Sequence, residues 1–286
     1  MKYKAPGLII MLFSLLVPIS TIAQGNGDES TVGPENGSLV IVGGGKLSDD
    51  IILKFIELAG GVDAPMVVIP TAGGRPVYDD GQGELLRSRG AQNVTVLHTI
   101  DPIVADSDTF VAPLQDAKGV WFSGGRQWRL VDAYKNTKTE VMVSKVLERG
   151  GVIGGTSAGA TIQGSYLVRG DTKNNQIMMG DHEKGFGYLK NSAIDQHVLA
   201  RNRHFDLFNV LKQRPELLGI GIDENTALVV RGDIGEVIGS SYVLIYDGTF
   251  WSREGSELKQ LPDKQTLFYF LKSGDKYNLK ERTIIK

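Results

Sequence analysis

The run GVIGGTSAGATIQG places Ser157 among small residues, with Gly154-Gly155 before it and Ala158, Gly159 and Ala160 after it. Val152 and Ile153 read as the end of a buried strand, and the residues from Ala158 onward as the opening of a helix. Gly-x-Ser-x-Gly in that context is a nucleophile elbow. The composition follows from the chemistry, because a sharp turn forces unusual torsions on the serine and small neighbours let strand and helix approach closely. A serine held there can attack an acyl carbonyl, while the N–H of Ala158, at a helix N-terminus, steadies the oxyanion that forms. A glycine-rich connection whose serine only caps the helix has the same local composition. Catalysis therefore requires partners.

The first partner is a base. Histidine occurs at His98, His182, His197 and His204. His98 ends NVTVLH and could stand at the top of a sheet. His182 lies in the polar GDHEKG and reads as solvated, and His204 opens the helical-looking RHFDLFNVLKQRPELLG. His197 follows the apolar-rich AIDQ, where a half-buried strand end could hold it. The order Ser–acid–His of α/β-hydrolases needs a late histidine, and none follows His204, so the acid is expected after the base. Glu224, in the strand end GIGIDENTA, could orient the imidazole and stabilise its charged form. The alternative for Asp223 and Glu224 is an exposed turn. Beside such a carboxylate the base is expected to titrate at or somewhat above the ordinary imidazole value.

Other chemistries find little support. The chain has no cysteine, which removes thiol nucleophiles, thiolate metal sites and disulfides. No metal-ligand spacing is visible, so neither a metal nor a cofactor is expected. From Gly43 the dinucleotide fingerprint meets Ser48 where its third glycine belongs, and Lys46 precedes Leu47, not the Ser or Thr of a P-loop. Gly43-Gly44-Gly45 is expected to be a tight turn packed against the elbow. The formal charge of −2 and the lack of any basic stripe argue against a nucleic-acid partner.

The elements that must position these residues alternate. SLVIVGGG, PMVVIPTAGG, NVTVLHTI and VWFSGG read as strands, mostly with glycine exits. LSDDIILKFIELAGG, GELLRSRG, RQWRLVDAYKN and TEVMVSKVLERGG read as helices. This βα repetition predicts an α/β fold with a parallel sheet covered on both faces. GIGIDENTALVV, GEVIGSSYVLIYDG and TLFYFLKSGDKYNL read as strands without helices between them, hence antiparallel additions at one sheet edge. With 36 glycines clustered where strands should end, the loops are suited to work close to a ligand at the carboxyl ends of the strands. Residues 1–23 combine Lys2 and Lys4, a short apolar run and a small-residue ending, which describes a secretory signal peptide. Its removal would take the charge from −2 to −4. Residues 24–37 are polar and Gly-rich, a flexible linker, and 38–286 are expected to form one domain, secreted or periplasmic, with no membrane attachment after cleavage.

GGGKLSDDIILKFIELAGG, VVIPTAGG, VWFSGGRQWRL, GGTSAGA, DQHVLARNRHFDL and LLGIGIDENTALVV occur in order between about Ser38 and Val230. Together they resemble the cyanophycinase family of serine peptidases, whose relatives include aspartyl dipeptidases. The resemblance implies a flavodoxin-like sheet related to class I glutaminase domains, a Ser–His–Glu charge relay and a homodimer. It places the nucleophile at Ser157, the base at His197 and the acid at Glu224. Gln127, Asp195, Gln196, Arg201 and Arg203 fall on positions that hold substrate in cyanophycinases. Asp206 departs from the pattern, because members that cleave the β-linked Asp-Arg polymer tend to carry a basic residue there.

These observations lead to a secreted exopeptidase that forms an acyl-enzyme at Ser157, with the oxyanion held by the N–H groups of Ala158 and of Gly125. Its substrate is then a peptide or cyanophycin-like isopeptide. Arg201 and Arg203 are expected to pair with a substrate carboxylate, and Asp206 to repel it or favour a basic group, unless Arg203 and Asp206 simply pair on an exposed helix. A noncatalytic protein using the same cleft to hold an acidic peptide is the competing reading. A glutaminase is weaker, since glutaminases of the related fold use a cysteine.

Overall fold

The computed structural model describes Met1 and residues 31–247 and 269–286. The expected signal peptide and the first part of the expected linker fall at 2–30, outside the described residues apart from Met1. From Thr31 to Lys286 the chain clusters as one compact unit. The segment expected to be free linker up to Gly37 is tied down from Thr31 on. Val32 donates its N–H to Asp233 (2.6 Å), and its carbonyl accepts from Lys190 (2.8 Å).

Fourteen strands are described: β1 Ser38–Val42, β2 Met66–Ile69, β3 Val94–Val96, β4 Gly119–Phe122, β5 Val152–Thr156, β6 Gly164–Tyr166, β7 Leu189–Gln196, β8 Leu218–Ile222, β9 Thr226–Arg231, β10 Ile234–Gly239, β11 Val243–Tyr246, β12 Tyr269–Leu271, β13 Lys276–Asn278 and β14 Thr283–Ile285. The α-helices are α1 Asp49–Leu58, α2 Glu84–Arg87, α3 Pro102–Ala105, α4 Asp108–Val111, α5 Trp128–Tyr134, α6 Lys138–Glu148, α7 Ala158–Thr161 and α8 Leu207–Leu211. The long helical reading of RHFDLFNVLKQRPELLG shrinks to the five residues of α8.

The larger sheet runs β14-β13-β10-β9-β1-β5-β4-β2-β3. Its β1, β5, β4, β2 and β3 are parallel, and β9, β10, β13 and β14 extend the β1 edge in antiparallel register. A parallel core of this kind, strands alternating with helices, is the predicted flavodoxin-like arrangement. The sequence reading placed every late strand in one sheet. The chain instead builds a second sheet, β12-β11-β8-β7-β6, and GIGIDENTALVV divides between the two: β8 belongs to the small sheet and β9 to the large one. Asp223-Glu224-Asn225 is the corner, turned by Asn225 at φ +49°, a left-handed conformation that asparagine tolerates better than most residues.

The core beneath the elbow explains its glycines. A Cβ on Gly154 would lie 2.5 Å from the Trp121 ring, which packs edge-on against Phe55 with centroids 5.1 Å apart. Trp121 and Phe55 are both fully buried. Side chains that large against a strand centre leave room only for glycine.

Candidate active site

Ser157 follows β5 and has φ +55° and ψ −111°, torsions that an L residue adopts only under constraint. The constraint is tight packing of strand against helix. A Cβ on Gly155 would lie 2.3 Å from the Gly159 carbonyl oxygen, and one on Gly159 would lie 2.1 Å from that of Phe122. Ser157 donates its own N–H to Val42 of β1 (3.0 Å), which fixes the turn to the neighbouring strand. The N–H of Ala158 is the first of α7 and has no intrahelical acceptor.

His197 follows β7, also at positive φ (+55°). Its Nε2 lies 2.9 Å from Ser157 Oγ, and its Nδ1 lies 2.5 Å from Glu224 Oε1. Oγ–H donating to Nε2 and Nδ1–H donating to the carboxylate is the tautomer these partners select. Burial pushes the His197 pKa below the ordinary imidazole value. Glu224 opposes the shift, and the cations Arg201 and Arg203 add to it. The expectation of a value at or above the ordinary one counted the carboxylate alone; desolvation and two nearby guanidinium groups outweigh it.

The adjacent Asp223 does different work. It is buried, its Oδ1 accepts from the amides of Leu199 (3.0 Å) and Ala200 (2.9 Å), and its Oδ2 from the Ser241 hydroxyl (2.6 Å). It shapes the turn that carries His197. Gly43-Gly44-Gly45 lies under His197 and Glu224. A Cβ on Gly44 (φ +121°) would sit 2.1 Å from His197 Cε1, and one on Gly45 (φ +75°) 2.8 Å from Glu224 Oε2. The Gly43 carbonyl accepts from the His197 amide (3.0 Å) and the Gly44 carbonyl from the Asn225 amide (2.9 Å). A glycine triplet leaving a strand was the available signal, and its role as a cradle for a distant histidine was missed.

The other histidines are engaged elsewhere. His98 Nδ1 meets Thr71 Oγ1 at 2.8 Å. His182, read as solvated, lies between Asp132 (2.8 Å) and Asp181 (3.0 Å). The His204 ring packs against Phe205 with centroids 4.3 Å apart.

Around these three side chains, Gly124 faces Ser157, with a Cβ there only 3.4 Å from that of the serine. Gly125 (φ +145°) presses on Ala72, whose carbonyl oxygen would be 2.0 Å from any Cβ, so only glycine fits. Gln127 is fully buried, and its Nε2 donates to the carbonyls of Val168 (2.6 Å) and Arg169 (2.9 Å), while its Oε1 has no protein donor. Asp195 is also fully buried, with both oxygens held by Arg169 (2.8 and 3.0 Å). Gln196 accepts from Arg203 Nη1 through its side chain (2.9 Å) and its carbonyl (3.1 Å), and both residues are buried. Arg201 is exposed.

Arg169 was not singled out from sequence. It has no exposed surface, and besides Asp195 its Nη2 reaches Asp206 at 2.5 Å. Asp206 therefore does not pair with Arg203 as an i, i+3 neighbour; it is a counter-ion of Arg169. Nothing local marked Arg169, whose partners lie 26 and 37 residues further along the chain.

The chain is similar to known proteins over most of its length. The profile of Peptidase family S51 matches residues 39–238. The chain is 31% identical over 256 residues to a cyanophycinase of Geminocystis herdmanii, covering 85% of this chain and 94% of that one. It is 30% identical over 249 residues to a cyanophycinase of a Nostoc species, covering 82% of each. A crystal structure of a peptidase from an acI-B1 Actinobacterium superposes with a TM-score of 0.64 at 25% identity, covering 86% of this chain and 98% of that one. The chain belongs to peptidase family S51 and is a serine-type peptidase, a hydrolase similar to the cyanophycinases.

Proposed function

We propose that the chain is a secreted exopeptidase that cleaves peptide or β-aspartyl isopeptide bonds through Ser157, His197 and Glu224. The observation that carries this reading is the pair of hydrogen bonds Oγ to Nε2 (2.9 Å) and Nδ1 to Oε1 (2.5 Å), on a serine held at φ +55°. In the first step Ser157 Oγ bonds to the scissile carbonyl carbon as its proton passes to Nε2. Glu224 stabilises the imidazolium that results. The amides of Ala158 and Gly125 receive the oxyanion. Collapse breaks the C–N bond, and His197 returns the proton to the departing amine. Water then attacks the acyl-enzyme, giving a proton to His197 that finally returns to Ser157.

Names of relatives suggest the substrate class: a cyanophycin-like peptide, with Arg201 and Arg203 supplying positive charge near the base. Asp195 would support this pocket from behind through Arg169. The test is a hydrolysis panel of cyanophycin, β-Asp-Arg, β-Asp-Lys and α-linked Asp dipeptides, with Ser157→Ala as blank, alongside fluorophosphonate labelling. Labelling and turnover that both vanish in Ser157→Ala support the reading; an unlabelled, inactive intact chain that still binds acidic peptide replaces it with a binding protein. Secretion predicts a mature N-terminus after Ala23 outside the cytoplasm, read by N-terminal sequencing. A homodimer is read by light scattering.

A further inference from the structure

We propose that Arg169 is a positioning residue for the reaction: its carbonyl sets the oxyanion loop, its guanidinium sets the base, and the one residue holds the two in register. The inference rests on the peptidase reading above and adds to it a residue outside the proposed triad.

Arg169 lies shortly after β6, fully buried, with φ +57°. A bulky residue keeps that conformation only where its surroundings over-determine it. Here every part of the residue is engaged. Its N–H donates to the Met178 carbonyl (3.0 Å). Nε and Nη2 donate to the two oxygens of Asp195 (2.8 and 3.0 Å), Nη2 also to Asp206 (2.5 Å), and Nη1 to the Asn175 carbonyl (3.0 Å).

Its two ends reach opposite parts of the site. The Arg169 carbonyl accepts from Gln127 Nε2 (2.9 Å), which also donates to the Val168 carbonyl (2.6 Å). Gln127 closely follows Gly125, and between them Arg126 Nη2 donates to the Asp171 carbonyl (2.5 Å). Residues 168–171 thus fix the loop whose Gly125 amide is assigned to the oxyanion. At the other end, Asp195 stands on β7 just before Gln196 and His197, and its Oδ1 also accepts from the Gln196 amide (2.9 Å). The guanidinium therefore fixes the strand end that presents His197 Nε2 to Ser157.

Among the described residues, no hydrogen bond runs directly between 124–127 and 195–197, so Arg169 is the bridge. Arg169, Gln127 and Asp195 each have no exposed surface, which leaves solvent no part in holding them. Lysine cannot reproduce the bridge, because one ammonium does not present the planar fork that spans both Asp195 oxygens. A displacement near 1 Å in either catalytic group slows acyl transfer by about a hundredfold, so the geometry of the fork matters as well as its charge. The charges that act on the His197 pKa are those of Glu224, Arg201 and Arg203, and Arg169 is not among them. Its influence on the base is through position.

The experiment follows covalent labelling by a fluorophosphonate probe, resolved into the rate at saturating probe and the half-saturating concentration, with thermal melting as the check on folding. Arg169→Lys is expected to lower the saturated rate at least about tenfold, with the half-saturating concentration nearly unchanged and the acid limb of the rate at the same pH. Arg169→Ala should fall further, and low, non-denaturing guanidinium chloride should raise its rate at least about threefold where sodium chloride does not. If Arg169→Ala does not fold, Arg169→Lys decides. A folded Arg169→Lys chain that labels within about twofold of the wild type marks a residue that serves stability alone and overturns the inference. A loss confined to the half-saturating concentration, an acid limb that moves, or a folded Arg169→Ala chain that guanidinium does not rescue overturns it as well. Failure of the wild type to label, or labelling that persists in Ser157→Ala, defeats the peptidase reading itself. Normal wild-type labelling with an unaffected Arg169→Lys chain defeats only the positioning role.

Discussion

Replacing Glu224 by glutamine keeps an acceptor oxygen for His197 Nδ1–H and removes only the charge. In the resting enzyme the imidazole is neutral and gains little from that charge. On the proposed mechanism it becomes imidazolium in the transition state, beside a carboxylate oxygen 2.5 Å from Nδ1. Charge centres about 4 Å apart attract by about 4 kcal/mol at an effective dielectric near 20. The Glu224 side chain is 38% exposed, so solvent screens part of this, and we take about 2–3 kcal/mol as the differential loss. That corresponds to a fall in kcat of about 30- to 150-fold with KM nearly unchanged. A second readout has an opposite sense to a mere packing defect. Glu224 holds the His197 pKa up against burial and the two arginines, so its neutralisation moves the acid limb of kcat/KM to lower pH. Stopped assays from pH 4.5 to 8.5 measure both. A loss under threefold, or a limb that moves to higher pH, refutes the role given to this carboxylate.

Gly44→Ala puts a Cβ where His197 Cε1 now lies, at a backbone φ of +121°, and should lower kcat and the fluorophosphonate labelling rate at least about a hundredfold, because a displacement near 1 Å suffices for that. Wild-type kcat in a folded Gly44→Ala protein would contradict the cradle. Arg169→Met leaves the Asp195 carboxylate buried without its cation and should cost about 3–5 kcal/mol in urea unfolding, partly recovered by adding Asp195→Asn. A loss below about 1 kcal/mol would show the pair to be dispensable. His182 has its pKa raised by its two aspartate partners, which outweigh burial, so its stabilisation is present in full below the ordinary imidazole value and fades as pH rises through the raised one. The stability difference between wild type and His182→Gln should therefore be larger at pH 5.5 than at pH 8.5, and an equal difference at both would exclude the linkage.

Local composition made the elbow legible. Gly154, Gly155 and Gly159 are small because Trp121, the Phe122 carbonyl and the elbow's own helix leave no room for side chains. His197 and Glu224 could be ranked by their place at strand ends and by order along the chain. The cradle of Gly43–Gly45 was legible as a turn and not as to what it supports, since tight turns look alike whatever lies above them. The second sheet was hidden because a strand end at Asp223-Glu224-Asn225 does not say that the next strand joins a different sheet, and a left-handed Asn225 is a weak signal in a sequence. Arg169 was invisible for a different reason. A buried cation is defined by its partners, and Asp195 and Asp206 meet it only once the chain has folded.

The proposed nucleophile, base and acid arrive from three origins: Ser157 from the end of β5 in the large sheet, His197 from the end of β7 in the small one, and Glu224 from the corner between β8 and β9. The proposed triad is thus a vernier set across two sheets. A slip of half an ångström between them would leave every ladder paired and the core dry, yet open the Oγ to Nε2 distance from 2.9 Å to beyond useful reach. Catalytic competence then measures the stiffness of a seam and not the depth of the folding free-energy well. The groups that stiffen it are the Gly43 carbonyl on the His197 amide, Asp223 on the following turn and Asn225 on the Gly44 carbonyl, none of which takes part in bond breaking.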